Sequence, residues 1–92
     1  MSPYLLGIDG GTESLRAAIF DLEGELLASA ATAYDTQFPT PGWAEQDPRD
    51  WWRALGQSVR TVVDKACVDP ARIDAMSVDT TCCSVVALDE QG

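Results

Sequence analysis

The start of the chain constrains the fold most, because it carries the pattern of a β-hairpin with a glycine-rich turn. In residues 5–27, LLGIDGGTESLRAAIFDLEGELL, an apolar run ends in an aspartate, two glycines and hydroxyl residues follow, and a second strand-like run begins. We predict that residues 4–9 and 15–21 form antiparallel strands on either side of this turn. A turn of this composition is typical of a site for phosphate oxygens and indicates a protein that handles nucleotides.

The residues of this turn have the chemistry that a phosphate group requires. Gly10 and Gly11 let the backbone adopt positive φ values and bring its N–H groups close to a ligand. Thr12 and Ser14 add hydroxyl donors, and Arg16 adds a guanidinium whose donors match phosphate. On spacing alone, an ordinary hairpin in which Asp and Gly supply the turn geometry explains the pattern equally well.

Asp9 stands at the end of the first predicted strand, directly before the glycine pair. Its carboxylate is a hard oxygen ligand of the kind that a hydrated Mg²⁺ uses, so we predict that Asp9 orients this metal through water. The turn matches neither of two common nucleotide motifs. It lacks the G-x-x-x-x-G-K-[ST] pattern of a P-loop, and the spacing of Gly7, Gly10 and Gly11 does not fit G-x-G-x-x-G.

The rest of the chain predicts a mixed α/β arrangement. After a loop marked by prolines and a glycine, a helix begins with Asp47 as N-cap and Pro48 at its first position. Apolar residues at helical spacing extend this helix to about Cys67. The strands predicted after the hairpin are residues 25–34, 73–79 and 84–88. The predicted order is therefore three antiparallel strands, one long helix and two further strands.

Three segments, in the same order and at similar spacing, resemble the FGGY carbohydrate kinases. They are GIDGGTESLRAAIFD at residues 7–21, PGWAEQDPRDWW at 41–52 and IDAMSVDTTCCSVVALDEQG at 73–92. Together they cover nearly the whole chain. The resemblance implies a ribonuclease H-like sheet, the first domain of a two-domain sugar kinase of the sugar kinase, actin and chaperone ATPase superfamily. It also implies ATP and Mg²⁺ as cofactors and phosphorylation of a sugar hydroxyl.

The resemblance assigns roles to the turn. It implies that nucleotide phosphates are held by Gly10, Gly11, Thr12, Glu13, Ser14 and Arg16, with Mg²⁺ at Asp9. Related loops often carry a small or hydroxyl residue where this chain has Glu13. Two interpretations of Glu13 remain open: its carboxylate points away from the phosphates, or it adjusts the magnesium site. The family's general base is an aspartate that we expect beyond residue 92.

A second candidate site follows the strand predicted at residues 73–79. In the FGGY kinases this turn touches the sugar, and the resemblance places Thr81, Cys82 and Cys83 there. The turn looks like that of the ribulose kinase branch and lacks the charged contacts of glycerol kinases. It therefore implies a pentulose, ribulose- or xylulose-like. Cysteine is also often a small buried apolar residue, so contact with sugar and simple packing both remain open.

The amino-acid composition limits the classes of partner that the chain is expected to bind. The net charge is −9 and no basic run occurs, which argues against nucleic acid and anionic membrane surfaces. No apolar stretch is long enough to span a bilayer. The chain has three cysteines, no C-x-x-C spacing and no histidine, so free thiols fit better than disulfides or zinc. We expect a cytoplasmic protein whose partners are a small sugar and ATP.

A chain of 92 residues makes one small domain, whereas a kinase of this family needs several hundred. We therefore expect residues 1–92 to be the N-terminal part of the first domain, inactive alone. An uncovered sheet face carrying Leu5, Ile19, Val78 or Val86, depending on register, should cause self-association. Two alternatives are a piece of an actin-like or chaperone-like ATPase and a stand-alone, non-enzymatic assembly module. The GWAEQDP segment and the turn at Thr81 favour the kinase.

Overall fold

The computed structural model describes residues 3–81 and 84–92. Its elements are β1 (Tyr4–Gly10), β2 (Ser14–Phe20), β3 (Leu26–Ala33), α1 (Pro48–Ala66), a short 3-10 turn (Pro70–Arg72) and β4 (Ile73–Thr80). The strands form one sheet in the order β3-β2-β1-β4. The first three strands are antiparallel neighbours, whereas β4 runs parallel to β1. The predicted mixed α/β fold is confirmed.

Alternation along the hairpin decides which face of the sheet is buried. Leu6 and Ile8 of β1 lie opposite Ile19 and Ala17 of β2, and all four are at most 7% exposed. Successive side chains of a strand point to opposite faces, so these residues form one apolar layer. Leu5, on the other face, is only half-buried. The hairpin therefore has one core face and one more accessible face.

Helix α1 covers the core face over β2 and β3. The Asp47 carboxylate accepts a hydrogen bond from the backbone N–H of Arg49 at 2.9 Å, which confirms the predicted N-cap. The side chain of Arg49 also donates to Asp47 and holds the pKa of that carboxyl below its usual range. At the other end, Cys67 caps the helix in the left-handed conformation, with φ 55°. No helix in residues 3–81 and 84–92 is long and apolar enough to cross a bilayer.

A buried serine joins α1 to the sheet. The Ser58 hydroxyl is 1% exposed and donates to the Leu15 carbonyl at 3.2 Å. Its proton is thus committed, so it accepts from the Thr32 hydroxyl at 2.7 Å. Because a buried polar group is costly unless it is paired, these bonds fix the position of α1 on β2 and β3.

Strand β4 lies outside the area that α1 covers. Its Met76 and Val78 are register partners of Leu6 and Ile8, yet they remain 59% and 55% exposed. Of the four residues that the sequence offered for the uncovered face, depending on register, Val78 is exposed and Ile19 is not. Ile19 is fully buried, because β2 is an inner strand and α1 packs directly over it.

The predicted fifth strand, residues 84–88, was also wrong. This segment has no strand structure in the described chain, and Val85 and Leu88 are 91% and 71% exposed. Apolar alternation supplies only a propensity, whereas a strand also needs a neighbour for its backbone hydrogen bonds. None of the four described strands pairs with it. The turn at residues 89–92 does form, with the Gly92 N–H donating to the Asp89 carbonyl at 3.1 Å.

Candidate phosphate-binding site

The hairpin turn and the end of β4 meet at one edge of the sheet. Because β1 and β4 are parallel, their carboxyl ends lie together, with Gly10 beside Thr80. The Thr81 N–H continues this pairing by donating to the Gly10 carbonyl at 2.9 Å. Two regions that the sequence singled out separately are thus adjacent in space. The other two residues predicted at the sugar turn, Cys82 and Cys83, lie outside the described residues.

The turn itself offers two backbone donors. The Gly11 N–H donates to the Ser14 carbonyl at 2.9 Å and is therefore committed to holding the turn closed. Within the described residues, the N–H groups of Thr12 and Glu13 have no protein acceptor, and both residues are exposed. Successive unpaired N–H groups in a turn are available to an anion. The turn can therefore donate to phosphate oxygens through Thr12 and Glu13, with the Thr12 hydroxyl beside them.

The two glycines of the turn are needed for a different reason from the one the sequence suggested. Neither Gly10 nor Gly11 has a positive φ, so the predicted left-handed backbone was wrong. A Cβ on Gly10 would lie 3.2 Å from Thr80 Cγ2, and one on Gly11 would lie 3.2 Å from the Ser14 carbonyl oxygen. Close approach of neighbouring chain, rather than backbone conformation, therefore explains them. The glycines with positive φ are Gly24, Gly42 and Gly92.

Asp9 lies between two charged neighbours on the face away from α1. Its register partners are Arg16 on β2 and Asp79 on β4. A hydrogen bond to the Asp9 carboxyl, and the negative charge of that group, raise the pKa of Asp79 above its ordinary value. No sequence motif marks Asp79 as a site residue. The signal was present, because parallel pairing of β1 with the strand ending at residue 79 aligns the two carboxylates.

Asp9 fits a magnesium ion bound mainly through water and phosphate. The described parts of the chain contain no group of three or more His, Cys, Asp or Glu side chains that could hold a metal by themselves. Mg²⁺ usually keeps several waters and takes one or two carboxylates together with substrate phosphates. Asp9, with Asp79 beside it and the turn next to it, supplies such a partial set of ligands.

Tyr34 supports the turn from the buried core, and no sequence motif indicates this role. Its side chain is 8% exposed, and its hydroxyl shares its single proton between the carbonyls of Gly11 and of Ser14, the latter at 3.1 Å. Its backbone N–H donates to the Glu13 carbonyl at 3.0 Å. Burial, and to a smaller extent the charge of Asp9, raise the pKa of Tyr34. Tyr34 thus holds the turn at three carbonyl groups.

Two cavities open beside the turn on the side of α1. The larger has a volume of about 830 Å³ and lies between the loop before α1 and residues 84–87. The smaller, of about 230 Å³, lies against Gly10 and Gly11. Both cavities are lined by Gln46, Trp51, Thr81 and Ser84. A small polar molecule in the larger cavity would therefore lie next to Thr12 and the phosphate turn.

Comparison with known proteins identifies the family of the chain. Residues 4–92 match the family model of the FGGY family of carbohydrate kinases, N-terminal domain. A glycerol kinase of Thermococcus onnurineus (strain NA1) is 33% identical over 92 residues, 100% of this chain and 19% of the relative. A ribulokinase of Geobacillus thermodenitrificans (strain NG80-2) is 37% identical over 100 residues, 97% of this chain and 18% of the relative. The crystal structure of xylulose kinase from Rhodospirillum rubrum has a TM-score of 0.85 and 28% identity, covering 97% of this chain and 18% of that one.

The chain spans about a fifth of the length of these relatives. The likeness includes the hairpin, the helix and β4, because the family model begins at the first residue of β1 and extends to Gly92. This chain belongs to the FGGY family of carbohydrate kinases.

Proposed function

We propose that this chain forms part of an ATP-dependent sugar kinase. It contributes half of the phosphate-binding site and part of the sugar-binding site. The observation that carries the proposal is the turn. Its Thr12 and Glu13 N–H groups are unpaired within the described residues, and Asp9 lies at the end of the adjoining strand. Membership of a carbohydrate kinase family supports phosphoryl transfer to a sugar over other uses of such a turn.

The residues have separate tasks in this proposal. The N–H groups of Thr12 and Glu13 and the Ser14 hydroxyl donate to phosphate oxygens. Arg16, which lies on β2, neutralises the negative charge of the phosphates. Mg²⁺, when bound, would neutralise the phosphates, and Asp9 would orient it through water. Phosphoryl transfer depends mainly on positioning and charge neutralisation, so a chain without the general base can still supply much of the site. We assign that base to an aspartate outside residues 1–92.

The direct test is formation of ADP by the full-length kinase that contains this chain, with a panel of sugars and polyols, with and without Mg²⁺. We expect ADP formation that requires both a sugar and the metal. The isolated chain of residues 1–92 should give none with any sugar. The proposal fails if the full-length protein forms no sugar phosphate, or if it consumes ATP equally without an acceptor, as an actin-like or chaperone-like ATPase would.

We predict that the preferred acceptor is a pentulose, ribulose- or xylulose-like, rather than glycerol. Thr81 lines both cavities beside the phosphate turn, and the sequence places two thiols, Cys82 and Cys83, directly after it. This turn offers neutral groups in place of a charged pair. Steady-state kinetics of the full-length kinase with ribulose, xylulose and glycerol measure the preference. A higher kcat/KM for glycerol than for either pentulose would contradict the prediction.

We predict that residues 1–92 form dimers or larger oligomers when produced alone. Met76 and Val78 are more than half exposed on β4, which is an edge strand of the described sheet. Exposed apolar residues beside unpaired backbone groups favour association between sheets. Light scattering at dilute concentration measures the mass, and Val78→Lys should shift it towards the monomer. A monomeric wild-type chain with a cooperative thermal transition would contradict this prediction.

We place the enzyme in the cytoplasm, with no nucleic acid or membrane as partner. The net charge of −9 disfavours binding to polyanions. Cys67 is an exposed free thiol, which is typical of a reducing compartment.

A further inference from the structure

Gln46 connects the hairpin turn at residues 11–13 to the loop before α1 and to the first turn of that helix. Its Nε2 donates to the Thr12 carbonyl at 2.5 Å and to Thr36 Oγ1 at 2.8 Å. Its Oε1 accepts a hydrogen bond from Trp51 Nε1 at 3.0 Å. The two donor bonds and the acceptor bond use both ends of the amide. One side chain therefore joins residues that are 34 positions apart in the sequence.

The partners fix which way the amide points. An indole N–H can only donate, and a backbone carbonyl can only accept. If the Gln46 amide were turned over, its NH₂ group would face the Trp51 N–H and its oxygen would face the Thr12 carbonyl. Both contacts would then be repulsive. Trp51 thus sets the orientation that lets Gln46 donate to the turn.

The bond to Thr12 also sets the direction of the next N–H group. The Thr12 carbonyl and the Glu13 N–H belong to one planar trans peptide, in which they point in opposite directions. Holding the carbonyl towards Gln46 therefore aims the Glu13 N–H away from Gln46. That N–H is one of the two unpaired donors of the turn in the described chain.

We propose that Gln46 is a positioning residue for nucleotide binding, which holds the Thr12–Glu13 peptide in the orientation that presents its N–H to phosphate. This inference rests on the proposed kinase function. Trp51 acts through Gln46, since its N–H fixes the amide. Nucleotide phosphates are thereby recognised by a turn whose shape depends on how the beginning of α1 is seated.

The test uses the full-length kinase with Gln46→Met, which keeps length and neutrality but removes the amide. Gln57→Met, at an exposed position of α1, is the matched control. We measure the dissociation constant for Mg·ADP by calorimetry and the KM for ATP and for sugar. Loss of a hydrogen bond that orders the turn should weaken Mg·ADP binding and raise the KM for ATP about tenfold. The KM for sugar should rise by less than the KM for ATP, although Gln46 also lines both cavities, whereas a general loss of structure would raise both equally.

Trp51→Phe keeps a six-membered aromatic ring at this position but removes the pyrrole ring together with its N–H, so it breaks the same contact while the backbone of Gln46 and its side chain stay unchanged. We expect it to weaken Mg·ADP binding by about threefold, and to add nothing in the Gln46→Met background, because residues acting through one contact are not additive. If Gln46→Met does not fold, an unchanged affinity in Trp51→Phe overturns the inference.

The outcomes separate the inference from the function on which it rests. Wild-type affinity for Mg·ADP in a folded Gln46→Met kinase that still phosphorylates sugar overturns the inference alone. A wild-type protein that binds no Mg·ADP and phosphorylates no sugar overturns both. Equal losses in Gln46→Met and Gln57→Met would also overturn the inference, since the effect would not depend on the contact with Thr12.

Discussion

Replacing Asp9 with asparagine in the full-length kinase is expected to lower kcat by about 100-fold or more. Asparagine keeps the shape of the side chain but removes the charge that a magnesium ligand needs. The sugar should bind nearly as before, because Asp9 lies on the sheet face away from α1, whereas both cavities open on the side of α1. Steady-state kinetics should therefore show a large change in kcat and little change in the KM for sugar.

Two control measurements test whether the loss of rate comes from the lost magnesium ligand. Asp74→Asn removes a carboxylate from the opposite end of β4 and should leave kcat near that of the wild type. Added Mg²⁺ up to high concentration should recover part of the lost rate in Asp9→Asn and none in the control, which has nothing to recover. Near-normal turnover in a folded Asp9→Asn enzyme would show that Asp9 does not orient the metal.

The carboxyl pair indicates that this substitution will not unfold the protein. The folded state raises the pKa of Asp79, mainly through the hydrogen bond with Asp9. A raised carboxyl pKa favours folding below the unfolded value of 3.8 and opposes folding as the pH rises through the folded pKa. Above the folded pKa this contribution is lost, so at pH 7 the fold does not depend on the hydrogen bond between the two carboxyls. The melting temperature of Asp9→Asn at pH 7 should therefore not fall below that of the wild type.

The elements that local chemistry specifies could be predicted closely. The helix begins at Pro48 behind an Asp47 cap, as expected, because a cap, a proline and the helix dipole act within one turn. The first strand was predicted to end at Asp9 and ends at Gly10. Each of these features depends on neighbours in the sequence.

Features that depend on strand register or on packing could not be predicted from the sequence. The segment at residues 84–88 has the alternation of a strand, but no described strand pairs with it. Tyr34 and Gln46 reach the turn from 20 and 34 positions away, and no local motif marks either contact. Asp79 meets Asp9 only because β4 pairs in parallel with β1. The hairpin turn could thus be located from the sequence, but the side chains that hold it could not.

The glycines of the turn show most directly where the structure differs from the prediction made from the sequence, and Gly11 is the one whose replacement should have a large effect on stability. Gly11→Ala is expected to lower the free energy of unfolding by about 1–2 kcal/mol and to raise the KM for ATP. The new Cβ would lie 3.2 Å from the Ser14 carbonyl oxygen, which must then move by a few tenths of an ångström. That oxygen accepts from the Gly11 N–H and from the Tyr34 hydroxyl, so its movement weakens both bonds.

Gly56→Ala is the matched substitution, and it should act in the opposite direction. Gly56 lies inside α1, and its nearest neighbour for a new Cβ is the end of the flexible Arg60 side chain at 3.3 Å. Alanine inside a helix is favoured over glycine by about 0.5–1 kcal/mol, so this variant should be more stable than the wild type. Thermal unfolding and the KM for ATP measure both variants. If Gly11→Ala were stabilised as much as Gly56→Ala, with an unchanged KM for ATP, close packing of the turn would not be the reason for glycine at that position.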